Sequence, residues 1–119
     1  MTQQELGILG EQLAFTFLQQ KNYHILTKNY RFGKLEADII CIAENKLVVV
    51  EVKTRQTAEI GEPWRAVTRA KQKQIIKVAN HYIVENNIDL ETRFDIISIV
   101  HNGFRTDIQH LEDAFYPLV

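Results

Sequence analysis

The sequence predicts one α/β domain in which a single mixed β-sheet is flanked by helices. Three observations carry this prediction. Two segments, one near the start of the chain and one past its middle, place apolar residues at helical spacing. Five shorter segments are rich in β-branched residues and are bounded by turn residues. No repeat, low-complexity tract or Pro/Gly/Ser-rich linker divides the 119 residues, so 1–119 reads as one unit of ordinary domain size.

The first helix is expected from about Gln3 to Gln20. Leu6, Gly10, Leu13, Ala14, Phe17 and Leu18 recur on one side. Thr2 followed by Glu5 is a capping box, and Lys21-Asn22 ends the helix. Gly7 and Gly10 would let it approach the sheet closely. Tyr23 to Arg31 reads as a strand, with a turn at Gly33. Residues 35–43 and 46–53 form a hairpin around Glu44-Asn45. Residues 56–63 read as a loop. A second helix runs from about Pro63 or Thr68 to Glu85, with Val67, Ile75, Val78, Tyr82 and Ile83 as its apolar stripe. "NNIDLETR" reads as a loop. The strands "FDIISIV" and "FRTDIQHL" flank an Asn-Gly pair that signals a two-residue hairpin. The tail "EDAFYPLV" matches no element. The order is α-β-β-β-α-β-β, with the helices expected on opposite faces of the sheet.

A hydrophobic content of 45% with 24% charged residues is ordinary for a globular protein. No run approaches the roughly 18 apolar residues of a membrane span. The start lacks the basic and apolar regions of a signal peptide. The single cysteine, Cys41, lies between Ile40 and Ile42 and reads as a small core residue; its solitude fits a reducing compartment. A cytoplasmic location without membrane attachment is the expectation. Charge is uneven: Lys53 to Lys77 holds seven basic residues against two acids, on a chain of net charge -1. One basic face for an anionic partner would fit, and so would a solvated helix face.

The segment "EADIICIAENKLVVVEVKTR" carries the chemistry. Side chains alternate across a strand. With a two-residue turn, Asp38 lies opposite Glu51 and Glu36 opposite Lys53, so all four share a face; a one-residue slip would part them. Two opposed carboxylates repel unless a cation lies between them, and Mg²⁺ takes carboxylate oxygens together with water and phosphate. A charged strand end entering solvent explains the same spacing equally well.

At these residues the chain resembles the PD-(D/E)xK nuclease superfamily, with Asp38 and then Glu51-Val52-Lys53 as the motif and Ala37 in place of its usual proline. More narrowly it resembles the bacterial YraN family of uncharacterised predicted nucleases, over "LGILGEQLAFTFLQQKNYHIL", "EADIICIA", "LVVVEVKTR", "AVTRAKQKQIIKVANHYI" and "RFDIISI". It is also similar to archaeal Holliday-junction resolvases. The resemblance implies a restriction-endonuclease-like fold and hydrolysis of DNA phosphodiesters, on branched or structured DNA. The alternative is a nucleic-acid-binding module of the same fold with little or no catalysis. It further implies a Mg²⁺ or Mn²⁺ ion held by Asp38, Glu51, the Val52 carbonyl and Glu11, with Lys53 orienting the attacking water. Leu35 replaces a usual glycine, which puts the local backbone geometry in question. Lys71 interrupts the second helix's apolar stripe and either snorkels outward or contacts phosphate. Arg55, Arg69 and Lys73 are candidate phosphate contacts. Trp64 is a candidate for base stacking or loop packing, and Asp95 for a structural role. The four histidines show no metal-ligand spacing. Analogy with resolvases, which cut two strands, implies a homodimer.

Overall fold

Five strands lie in one sheet in the spatial order β1-β2-β3-β4-β5, as seen in a computed structural model that describes residues 1–57 and 67–117. They are β1 (His24–Phe32), β2 (Leu35–Ala43), β3 (Lys46–Arg55), β4 (Glu91–His101) and β5 (Thr106–Phe115). Helices α1 (Gln3–Gln20) and α2 (Arg69–Glu85) complete the order α-β-β-β-α-β-β. All neighbouring pairs are antiparallel except β3 and β4, which are parallel and are joined through α2. A parallel pair needs such a crossover.

The helices cover opposite faces. Ala14 and Leu18 of α1 pack with Ile39, Val48, Val50 and Ile97. Ile75, Val78 and Ala79 of α2 pack with Ile40, Leu47, Val49 and Ile96 on the other side. Both faces of the central strands are thus buried, which explains their nearly unbroken apolar runs. Cys41 is fully buried, as its neighbours suggested.

Local chemistry sets most boundaries. Thr2 and Glu5 exchange the two hydrogen bonds of the capping box, at 2.9 and 3.1 Å. Glu44 and Asn45 both take positive φ, 54° and 61°, so they make the tight turn that pairs Ala43 with Lys46. Thr68 caps α2 by accepting from the Lys71 N–H. Val67 is therefore not on the helix itself; it precedes the cap, yet it is buried in the same core cluster as Ile75, Val78 and Ala79. Pro63, Trp64 and most of the expected loop at 56–63 lie outside the described residues.

Two expectations at the C-terminal hairpin are corrected. Asn102-Gly103 does not form a two-residue turn: His101 pairs with Thr106, leaving four residues between the strands. The Asn102 side chain accepts from the N–H groups of Phe104 and Arg105, building a wider turn of its own. The first half of the tail, Glu112 to Phe115, is also strand. β5 runs on to Phe115, which stacks on Phe94 with ring centroids 5.2 Å apart. A bulge at Asp113, φ 52°, hides the alternation that would have marked it.

Gly10 and Gly7 play different parts. A Cβ at Gly10 would overlap the Thr54 hydroxyl of β3, so this glycine sets how closely α1 approaches the sheet. A Cβ at Gly7 would meet nothing within 4 Å among the described residues. Gly10→Ala is expected to lose about 1–3 kcal/mol through overpacking. Gly7→Ala should be neutral or gain roughly 0.5–1 kcal/mol from the removed backbone entropy. Urea denaturation of both variants checks the contrast, and equal effects would refute it.

Candidate metal and phosphate site

The site forms where β2 and β3 part. Their pairing runs from Ala43–Lys46 to Ile39–Val50 and stops there, while β3 stays paired with β4 through Arg55–Val100. At the fork, Asp38 Oδ2 accepts the Val52 N–H at 2.8 Å, so a side chain takes the place of the departing strand's backbone. The alternation of β2 slips at this point. Ala37 and Ile40 pack on the α2 face, whereas Ile39 packs on the α1 face. Across the pair stands Asn29 with φ 50°, a left-handed conformation that Asn tolerates better than other residues with side chains.

The expected single-face geometry is therefore corrected in part. Glu36 does not oppose Lys53; it pairs across β1 with Arg31, at 3.1 Å. Asp38 and Glu51 still meet, because the fork lets side chains from both layers into one gap. A cleft of about 360 Å³ is lined by Glu11, Asp38, Glu51, Val52, Lys53 and Lys71, together with Gln3, Gly7 and Thr54. Glu11 enters from α1 and Lys71 from α2. Lys71 turns inward, its Nζ 3.7 Å from Glu51 Oε1. Lys53 is exposed at the rim. Arg55 lines an adjoining cleft. Arg69 and Lys73 line a separate cavity with Tyr116 and Pro117, and neither borders the acids. Leu35 takes no left-handed φ; it pairs with Phe32 and packs against the core, so the lost glycine leaves the strand regular there.

Glu36 stays with the acids as the hairpin spacing suggested, though by another route than a place opposite Lys53, and one further residue, Asn29, escaped the sequence reading. Carboxylate oxygens of Glu11, Glu36 and Asp38 all lie within 4.8 Å of one another, which makes Glu36 part of the acid group. Asn29, with its NH₂ turned toward the acids, donates to Glu11 Oε1 at 2.9 Å and Glu36 Oε1 at 3.0 Å. A turn-favouring Asn inside a strand was the one available signal for it.

Electrostatics mark the cluster as short of positive charge. Burial pushes the Glu51 carboxyl up to about 8, helped by the Asp38 charge and opposed by Lys71. Burial, then Asp38, pushes Glu11 up to about 7. Burial also raises Asp38, against the pull of the Val52 N–H. Glu51 Oε2 is buried and has no hydrogen-bond partner among the described residues. Asp95 provides the contrast within the same sheet. It is fully buried, yet it accepts from Arg93, His110 and the Asp113 N–H. Burial works against its charge, but those bonds hold it below its ordinary range, as suits a structural acid. The orphaned Glu51 oxygen and the crowded acids fit a hard divalent cation, which binds carboxylate and carbonyl oxygens.

Fold and site together define a mixed α/β protein that gathers carboxylates and lysines where two strands of its sheet part. The chain belongs to the uncharacterised protein family UPF0102, whose model matches residues 10–99, and the resemblance to the YraN family holds in this form. It is 47% identical over 112 residues to a UPF0102 protein of Christiangramia forsetii, covering 94% of each chain. A UPF0102 protein of Flavobacterium psychrophilum matches at the same identity and coverage. One from Phocaeicola vulgatus is 42% identical over 113 residues, covering 95% of this chain and 93% of its own.

The acid cluster predicts an inverted pH dependence of stability. Glu11 and Glu51 hold protons in the folded chain, up to about 7 and about 8, that the unfolded chain releases near 4.5. The metal-free protein should thus lose stability as pH rises through that window, because the folded state binds more protons there. Glu51→Gln should flatten the decline. Urea denaturation in EDTA at several pH values measures both curves, and parallel curves would refute the assignment.

Proposed function

We propose that the protein is a metal-dependent nuclease that hydrolyses DNA phosphodiester bonds, acting on branched or structured DNA. The observation that carries this reading is the buried Glu51 oxygen, without a hydrogen-bond partner among the described residues, beside Asp38 and Glu11 in a cleft that also holds two lysines. The PD-(D/E)xK pattern of Asp38, Glu51, Val52 and Lys53 supports it further. In this reading the fold is restriction-endonuclease-like.

Asp38, Glu51, Glu11 and the Val52 carbonyl would hold Mg²⁺ or Mn²⁺. The bound ion would supply a water of lowered pKa and a counter-charge for the phosphate and the leaving oxygen. Asp38 does double duty, because one of its oxygens fastens Val52 and so fixes the backbone between Glu51 and Lys53. Lys53, at the rim, places an ammonium where an attacking water and a phosphate oxygen would enter. Lys71 balances Glu51 and offers a second cation to the phosphate. Arg55 extends the phosphate path along β3. Arg69 and Lys73, on their separate cavity, would contact DNA only beyond the cleft. Cutting both strands of a junction calls for two active sites, hence a pair of chains.

Purified protein is expected to cut branched DNA in Mg²⁺ or Mn²⁺ and not in EDTA. Asp38→Ala should abolish cleavage. Lys53→Ala should slow it by roughly 100-fold, the low end for a group that positions or activates water. Calorimetric titration with Mn²⁺ should show binding that Asp38→Ala and Glu51→Gln remove. Cleavage that survives Asp38→Ala, or absence of cleavage by the wild type, would sink the nuclease reading.

A further inference from the structure

A groove leads away from the acids. The acid cleft shares Gln3, Lys53 and Thr54 with a second cleft of about 320 Å³. That one shares Leu6 and Gln56 with a third of about 240 Å³, which ends at Asn102 and Gly103 of the β4–β5 hairpin. Lys53 and Arg55 line its middle.

At the hairpin tip stands Phe104, 99% exposed. The tip is an ordered turn. Asn102 Oδ1 accepts from the Phe104 N–H at 2.8 Å and the Arg105 N–H at 3.2 Å. The Asn102 N–H donates to the Arg105 carbonyl at 3.0 Å. Asn102 Nδ2 donates to the Gln56 carbonyl at 2.7 Å, which ties the tip to the chain just past the end of β3. Arg105 pairs with Asp107 at 2.9 Å. A phenyl ring held in water by a braced turn adds no buried surface to the fold.

We propose that Phe104 is a stacking wedge for nucleic acid. One strand lies in the groove with its phosphates along Lys53 and Arg55, and the Phe104 ring stacks on an unpaired base where that strand leaves the groove. This rests on the nuclease reading and narrows its substrate to DNA with a branch or an unpaired nucleotide near the cut. Aromatic side chains on positively charged strand grooves give affinity without sequence preference, because every base has a π-face. Apolar wedges also part base steps that are already weak.

The test is binding in EDTA, followed by fluorescence anisotropy with a linear duplex, a single strand and a branched duplex of related sequence. Phe104→Ala should weaken single-strand and branched binding by about tenfold, the order of one lost aromatic stack, and leave duplex binding unchanged. Phe104→Trp should retain tight binding. 2-Aminopurine at the branch point should be quenched by wild type and not by Phe104→Ala. The melting temperature of Phe104→Ala should match wild type, because the ring is exposed. Equal losses on all three DNAs, or no loss, overturn the wedge. If wild type cuts DNA while Phe104→Ala binds like wild type, the wedge falls and the nuclease reading stands. If Phe104→Ala shows the selective loss while no DNA is cut, the nuclease reading falls and the wedge stands.

Discussion

The bond from the Val52 N–H to the Asp38 carboxylate holds the sheet open at the point where the acids and lysines converge. β3 is the central strand of the sheet and would otherwise keep a partner on each side along its length. Beyond Val50 its β2 partner leaves, and an unpaired, half-buried N–H would be expensive there. Asp38 supplies the missing acceptor from the departing strand itself. The gap thereby stays satisfied on the backbone while its side chains are free to converge. Glu11 reaches it from the layer of α1 and Lys71 from the layer of α2, which a continuous sheet would keep apart. The close approach of Gly10 to Thr54 brings Glu11, the next residue, near the sheet.

The fork concentrates negative charge in a poorly hydrated place. Asp38 and Glu51 are pushed toward their neutral forms, and Asn29 tethers Glu11 and Glu36 from β1. A structural design treats a buried acid differently, as Asp95 shows with its full set of donors. Such unresolved repulsion lowers stability and sets this cluster apart from the structural acid.

Much of this was legible in the residues. α1 announces itself by its apolar stripe and capping box. The β2–β3 turn follows from a polar pair between apolar runs, and it fixes which residues start the ladder. Counting back along that ladder brings Asp38 and Glu51 to the same end of the hairpin, but the ladder stops at Ile39–Val50 and it is the fork that lets their side chains meet. Other features left weak traces. The C-terminal strand is masked by its bulge at Asp113, and the Asn102 turn depends on a side-chain bond to Gln56, 46 residues away in sequence. Lys71 was ambiguous because a lysine stem can lie along apolar surface with its head directed either way.

By itself the sequence determined the identity and order of the elements, the tight turn, the apolar faces, and the motif residues that share one hairpin. These follow from periodicity and turn chemistry, which act over a few residues. The tertiary structure alone decided that the hairpin splits at Asp38, that Glu36 turns to Arg31, that Glu11 and Lys71 enter from opposite layers, and that Arg69 and Lys73 stay outside. Those outcomes depend on how closely α1 packs, on a left-handed Asn29 in a neighbouring strand, and on which buried polar atoms find partners. None of these is a property of any short stretch of chain.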